Sequence, residues 1–244
     1  MRYLVISDIH ANLAALEAVL EDADDFDELW CLGDLVGYGP KPNECIERVR
    51  SFAHTSLAGN HDWAALGKLD LSSFNAVARA ANEWTQRQLT SSSRTYLGGL
   101  SPSLQQRDFA LAHASPREPV WEYIMDTSTA YQNFEYFSTP FCLVGHTHVP
   151  VLFELDEQNQ RCETMIPPLP KPVDLGPRRA IINPGSVGQP RDGDPRASYA
   201  ILDGEGDEMT WTFHRVSYPI EVTQEQMRAS GLPRRLIDRL EIGR

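Results

Sequence analysis

Cysteine, basic charge and long apolar runs are all scarce in this chain. Its four cysteines, Cys31, Cys45, Cys142 and Cys162, form no CxxC pair. That spacing argues against a disulfide framework. Cys31 and Cys142 lie inside apolar runs, where buried thiols are common. A reduced, cytoplasmic protein is expected. Lysine and arginine together number 22 against 34 acidic residues, for a formal charge of −12. Tight non-specific binding to a polyphosphate backbone needs a basic face, so a long nucleic-acid duplex is not the expected partner. No run approaches the roughly 18–20 apolar residues of a membrane helix. The apolar stretch Tyr3–Ile6 has no charged leader, no long apolar extension and no small-residue cleavage site, so it reads as a strand and not a signal peptide. There is no internal repeat and no low-complexity segment.

What is present is a chain of 244 residues, 41% of them hydrophobic, enough for one domain over residues 1–244 with a sizeable core. Short apolar runs at Tyr3–Ile6, Leu29–Leu32, Thr55–Ala58, Phe109–Ala112 and Phe141–Val144 read as strands. Helical periodicity fills Asn12–Ala23, where Leu13, Leu16 and Leu20 share a face, and Asn75–Leu89 reads as a helix. The alternation predicts an α/β architecture. The later chain is strand-rich, with Val151–Leu155, Ala180–Ile182, Ser198–Leu202 and the alternating Thr210–His214. Thr223 and Gln226 resemble a capping box that opens a short helix, and Arg234–Leu240 reads as a last one, so residues 219–244 form a helical tail. Pro167–Pro172 is a proline-rich, rigid connection.

Each of the five strand-like runs ends at, or one residue before, a side chain that can bind metal. These are Asp8 and His10, Asp34, Asn60, His113, and His146 with His148. Ligands in open α/β sheets bind beyond the carboxyl ends of strands, so the five points can meet in one crevice. Asp-x-His alone is commonplace. However, five of the seven histidines lie in these motifs once His61, directly after Asn60, is included, the exceptions being His54 and His214. Mixed imidazole, carboxylate and amide oxygen suits borderline divalent ions.

DIH, GDLVGYGP, GNHD, LAHAS and GHTHVP occur here in the order that marks the calcineurin-like metallophosphoesterase superfamily, which this sequence resembles from Tyr3 to about Leu202. INPGSVGQPRDGDPRASYAIL is similar to its bacterial and archaeal small-phosphodiesterase branch. The resemblance implies two mixed β-sheets packed as a sandwich and flanked by helices, a four-layer α/β/β/α fold. It also implies two divalent ions per chain, with Mn²⁺ first and Fe²⁺, Zn²⁺, Ni²⁺ or Co²⁺ as alternatives. Asp8, His10, Asp34 and His148 would hold one ion. Asp34 would bridge to the second, completed by Asn60, His113 and His146. Such a pair, roughly 3.5–4 Å apart, lowers the pKa of a shared water for in-line attack on phosphorus. His61 would protonate the leaving oxygen or donate to a non-bridging one.

The sequence departs from the protein-phosphatase branch, whose motif runs GDxVDRG. Its orienting aspartate falls at Gly37 and its phosphate-binding arginine at Tyr38. This points away from phosphoproteins and leaves Tyr38, Arg117 and Arg191 as candidate substrate contacts. Residues 114–139 form a candidate substrate-facing insertion holding Trp121, Tyr123, Tyr131, Phe134, Tyr136 and Phe137. At least one of these rings, with Trp121 and Tyr123 nearest His113, is expected to stack on a base, and the alternative is that they pack a local core or a subunit contact. The expected reaction is hydrolysis of a small nucleotide-like phosphodiester or dinucleoside polyphosphate. The rivals are a nuclease and a non-catalytic protein-interaction module of the same fold. Oligomerisation is left open.

Overall fold

The computed structural model describes residues 1–166, 169–205 and 208–244. Strand β1 (Arg2–Ile6) sets the frame. Side chains alternate across a strand, so Tyr3 and Val5 enter one apolar cluster while Leu4 and Ile6 enter another. The chain then forms α1 (Leu13–Asp22), β2 (Glu28–Cys31), α2 (Pro42–Arg50) and β3 (His54–Ser56). Asn12 caps α1 by accepting from the Ala15 N–H at 3.2 Å. Pro42 opens α2 in the first turn, where its missing N–H has no partner to lose. Helices α3 (Asn60–Ala65), α4 (Ala76–Gln88) and α5 (Ser91–Gly98) complete the first half.

The second half begins with the antiparallel pair β4 (Ser103–Gln106) and β5 (Phe109–Ala112). Helix α6 (Thr127–Asn133) connects β5 to its parallel neighbour β6 (Phe141–Val144). Strands β7 (Val151–Asp156), β8 (Arg161–Met165), β9 (Val173–Asp174), β10 (Ala180–Asn183), β11 (Ala197–Asp203) and β12 (Thr210–Val216) follow. Two mixed six-stranded sheets result, in the orders β3-β2-β1-β11-β12-β9 and β4-β5-β6-β10-β7-β8. Their facing sides bury Trp30, Leu143, Ile182, Trp211 and Phe213, each worth roughly 1.5–3 kcal/mol or more when removed from water. Helices α1, α2 and α5 cover the outer face of the first sheet, and α6 covers that of the second. This is the expected four-layer sandwich.

The tail folds back as α7 (Ile220–Ala229) and α8 (Arg234–Asp238). Met227, Leu232, Leu236, Ile237 and Leu240 pack on Phe74, Ala78 and Ala81 around α4. The capping-box expectation is corrected here. Helix α7 starts at Ile220 behind Pro219, so Thr223 sits inside it, buried, and its hydroxyl donates to Asn12 Oδ1 at 2.8 Å. Of the proline-rich connection, Pro167 and Pro168 lie outside the described residues. All four cysteines are buried and free. Among the described residues no helix is long and apolar enough to cross a membrane.

Candidate metal centre

Strands β1, β2 and β3 are mutually parallel, as are β5 and β6. Their carboxyl ends deliver all seven expected ligands to one buried cluster. The chain turns abruptly there. Asp8, His10, Asp34, His146 and His148 all have left-handed backbone, with φ between 49° and 64°. Such conformations cost on the order of 1–3 kcal/mol each in non-glycine residues and persist only where surrounding bonds enforce them. Here Asp8 N donates to Gly33 O at 3.0 Å and His10 N to Asp34 O at 2.9 Å. Ser186 Oγ and Gly188 N both donate to Asp8 O, at 2.9 Å each. Gly59 lets β3 approach: a Cβ at that position would lie 2.0 Å from Asp34 Oδ1.

Two triads emerge, Asp8–His10–His148 and Asp34–His113–His146, each with ligand atoms within 4.8 Å of one another. Asn60 joins the second, its Oδ1 lying 3.2 Å from His113 Nε2. Asp34 Oδ2 lies between the two, 3.7 Å from His10 Nε2 and 3.5 Å from His113 Nε2.

Three imidazoles are oriented by backbone carbonyls. The Nδ1 atoms of His10, His113 and His148 face the carbonyls of Val36, Leu32 and Gln189, at 3.2, 2.8 and 2.5 Å. A carbonyl only accepts, so each Nδ1 carries a proton, and in the neutral rings of His10 and His148 Nε2 presents a lone pair, the arrangement typical of metal-ligating histidine. His10 Nε2 and His148 Nε2 are 3.1 Å apart. Two neutral lone pairs cannot hydrogen-bond to each other, and a cation resolves the conflict. Among the described residues, Asp8 Oδ1 and His146 Nε2 are buried without a hydrogen-bond partner, the neighbour of Asp8 Oδ1 at 3.2 Å being the unprotonated Nε2 of His148, a further sign of the same need. The donor set therefore fits divalent ions.

The electrostatics agree. Burial opposes charge on Asp8 and Asp34, yet the histidines facing them hold both carboxyls well below the usual range. Burial pushes His146 down to about 3 and keeps His10 and His148 low as well. His113 moves the other way, up to about 9, because Asp34 and Asp8 outweigh its burial.

His61 is buried beside the cluster, its backbone N–H donating to Asp34 Oδ1 at 2.8 Å. Its Nδ1 lies 3.1 Å from Asn82 Oδ1 on α4, and burial pushes its pKa down to about 4. Gly37 lies against the ring, where a Cβ would come within 2.6 Å of Nδ1. Thus, while the position of the protein-phosphatase branch's aspartate is taken by Gly37, Asn82 holds the His61 ring at Nδ1. No local motif announces it, although a buried polar residue among Ala78, Ala81 and Thr85 on the inner face of α4 is the kind of anomaly that could have. Asp62, the last residue of GNHD, ties two loops by accepting from Gly59 N at 2.8 Å, Val36 N at 3.0 Å and Leu35 N at 3.3 Å. Burial, with Asp34 nearby, pushes its pKa up to about 7.

The candidate substrate contacts divide. Tyr38 packs against His10 and His61, with ring centroids 4.5 and 4.3 Å apart. Arg191 reaches Tyr38 Oη at 3.5 Å and Gln189 Oε1 at 3.0 Å. Arg117 is not brought into this group: its guanidinium is engaged by Glu122 and Gln132 of its own segment. Within residues 114–139, Tyr123 packs at a tilt against His146, with ring centroids 4.1 Å apart, and Trp121 packs on Phe74, which itself abuts His61. Phe134 instead packs beneath the second sheet with Ile124 and Ala130.

Comparison with known proteins places this arrangement in a family. The model of the calcineurin-like phosphoesterase superfamily domain matches residues 1–207. The chain is similar to the crystal structure of a metallophosphoesterase from Sphaerobacter thermophilus, with 52% identity, a TM-score of 0.91 and coverage of 100% of this chain and 99% of that one. It is 36% identical to an uncharacterized protein of Methanocaldococcus jannaschii, across 98% of this chain and 97% of the relative. A 67-residue stretch, 25% of this chain and 24% of the relative, is 39% identical to a symmetrical bis(5'-nucleosyl)-tetraphosphatase of Psychromonas ingrahamii. The chain belongs to the calcineurin-like phosphoesterase superfamily.

Proposed function

We propose that this protein hydrolyses phosphoester bonds in a small nucleotide-like substrate, a phosphodiester or a dinucleoside polyphosphate, using two divalent ions. The observation that carries the reading is the pair of lone-pair-bearing nitrogens, His10 Nε2 and His148 Nε2, held 3.1 Å apart by carbonyl bonds behind them. Asp8, His10 and His148 would hold one ion, and Asn60, His113 and His146 the other, with Asp34 shared. When bound, such a pair supplies a nucleophile from water at neutral pH and neutralises charge developing on the phosphoryl oxygens. Manganese is the expected metal. The partial likeness to a dinucleoside tetraphosphatase supports the substrate class.

In this reading His61 protonates the leaving oxygen. Its Nδ1 is taken by Asn82, which leaves Nε2 for the substrate. Burial keeps the ring neutral in the free site, and Asn82 favours its protonated form. An anionic phosphoryl group beside the ring raises its proton affinity further. Arg191 and Tyr38 would orient non-bridging oxygens, while Trp121 and Tyr123 flank the leaving portion. The test is a panel of phosphomonoesters, cyclic nucleotides, dinucleoside polyphosphates and short single-stranded oligonucleotides, assayed with excess Mn²⁺. Preferential turnover of dinucleoside polyphosphates or small diesters is expected. Preferential digestion of oligonucleotides would replace this reading with a nuclease, and no turnover of any ester would leave a binding protein.

A further inference from the structure

A cavity of about 880 Å³ lies between the start of α4 and the C-terminal helix α8, with Tyr38 forming part of its wall. Tyr38 also touches His10 and His61. The cavity therefore begins one aromatic ring away from the metal cluster. Its volume is within the range of small-molecule sites, roughly 300–1,000 Å³.

The lining is unusual for a chain with a formal charge of −12. Arg234, Arg235, Arg239 and Arg244 all face the cavity, and among the described residues Asp238 is the one acidic side chain lining it. Asp238 is already engaged by Arg234 Nε at 3.3 Å. Arg191 stands next to this group, its guanidinium carbon 5.9 Å from the Tyr38 ring and its Nε buried without a partner. Among the described residues, none of Arg191, Arg235 and Arg239 pairs with a side-chain carboxylate. Arg239 Nε donates to a main-chain oxygen of Arg244, the last residue of the sequence. Burial and the nearby Arg191 charge together push Arg239 down to about 10.

Like charges gathered beside a cleft repel one another, and an anion relieves that repulsion. The start of α4, a 13-residue helix capped by Asn75, faces the same space and adds partial positive charge. The platform is also firmly held. Leu236 and Ile237 are buried against α4, Gln224 Nε2 donates to Ile237 O at 2.9 Å, and Gly193 N donates to Gly243 O at 2.9 Å.

We infer that this arginine-lined cavity is a second subsite, which binds the distal phosphates and nucleoside of a substrate longer than one phosphodiester. The inference rests on the phosphoesterase reading and extends it. The reacting phosphoryl group would sit at the metal cluster, and the chain of phosphates would pass Tyr38 and Arg191 to reach Arg235 and Arg239. Guanidinium groups suit this task because their planar fork matches phosphate oxygens in pairs.

The test compares the full-length, Mn²⁺-loaded protein with its Arg235→Gln and Arg239→Gln variants. Arg235 is exposed, so its variant stays interpretable even if Arg239→Gln disturbs packing. Two quantities are measured. One is the ratio of kcat/KM for a dinucleoside tetraphosphate to kcat/KM for bis-p-nitrophenyl phosphate. The other is the Kd of a methylene-bridged, non-hydrolysable dinucleoside tetraphosphate, by calorimetry at two salt concentrations. The expected result is a tenfold or greater fall in the ratio, a tenfold or greater weakening of Kd, and a shallower salt dependence, with Arg235→Lys restoring part of each. A ratio and Kd within twofold of the parent would overturn the subsite, as would equal losses on both substrates. Absence of turnover on every ester by the parent protein is a separate outcome, which overturns the phosphoesterase reading itself.

Discussion

Replacing Gly37 by alanine tests how tightly the placement of His61 is controlled. Gly37 has φ +88°, and a Cβ there would lie 2.6 Å from His61 Nδ1, 2.9 Å from its Cβ and 3.0 Å from its Cγ. The ring has little room to yield, since Tyr38 and Phe74 lie at 4.3 and 5.2 Å between centroids and Asn82 holds Nδ1 at 3.1 Å. Restoring ordinary contact needs a shift of roughly 0.8 Å, and a misplacement of about 1 Å costs on the order of 10²-fold in a positioned reaction. The left-handed backbone adds about 1–2 kcal/mol of strain. For a chain of this size that lowers Tm by about 2–8 °C. Melting curves, metal analysis, and turnover of phenyl and p-nitrophenyl phosphodiesters read the three effects separately. A folded variant that keeps its metals and loses about 10²-fold in kcat on the phenyl ester, with a smaller loss on the p-nitrophenyl ester, is expected. An unchanged kcat on the phenyl ester would refute the claim that His61 must be held in place.

His61→Ala should retain metal and lose roughly 10²–10⁴-fold in kcat, less for leaving groups that need no proton; equal losses across leaving groups, measured by steady-state kinetics, would remove the acid role. Replacing Trp121 and Tyr123 together by alanine should lower kcat/KM for nucleotide substrates far more than for p-nitrophenyl esters, because base stacking is worth roughly 1–3 kcal/mol; parallel losses would make the segment purely structural. Stripping metal with a chelator should lower Tm, since each ion at about 100 times its Kd contributes about 2.7 kcal/mol; a chelator-insensitive Tm would contradict the buried, partnerless Asp8 Oδ1 and His146 Nε2 as ligands.

The candidate ligands were legible because Asp8, Asp34, Asn60, His113 and His146 each follow a short apolar run, with His10 and His148 two residues further on, a local signal that survives without tertiary information. Strands β5 and β6 have the bounds that their apolar runs suggested. Strand β4, Ser-Leu-Gln-Gln, was not legible, since its half-buried edge position demands no apolar pattern. Helix α2 was hidden for a related reason: Cys45, Ile46 and Val49 are buried along one narrow face of an otherwise charged segment. Asn82 could not be read locally because its partner His61 is 21 residues away on another element. Arg117 illustrates the converse, a plausible contact taken up by the nearby carboxylate of Glu122. The arginines of α8 were seen only as part of a terminal helix, and their meaning depends on the tail folding back over α4.

The most direct test of the two-ion centre is to titrate Mn²⁺ into chelator-stripped protein and its Asp34→Asn variant while measuring bound metal and hydrolysis of bis-p-nitrophenyl phosphate on the same samples. The account predicts two ions per chain at saturation for the parent, activity that emerges only as the second ion binds, and weakened binding of both ions in Asp34→Asn, because the parent's Asp34 Oδ2 lies 3.7 Å from His10 Nε2 and 3.5 Å from His113 Nε2. Saturation at a single ion, turnover by the stripped protein, or undiminished affinity for two ions in the variant would contradict it.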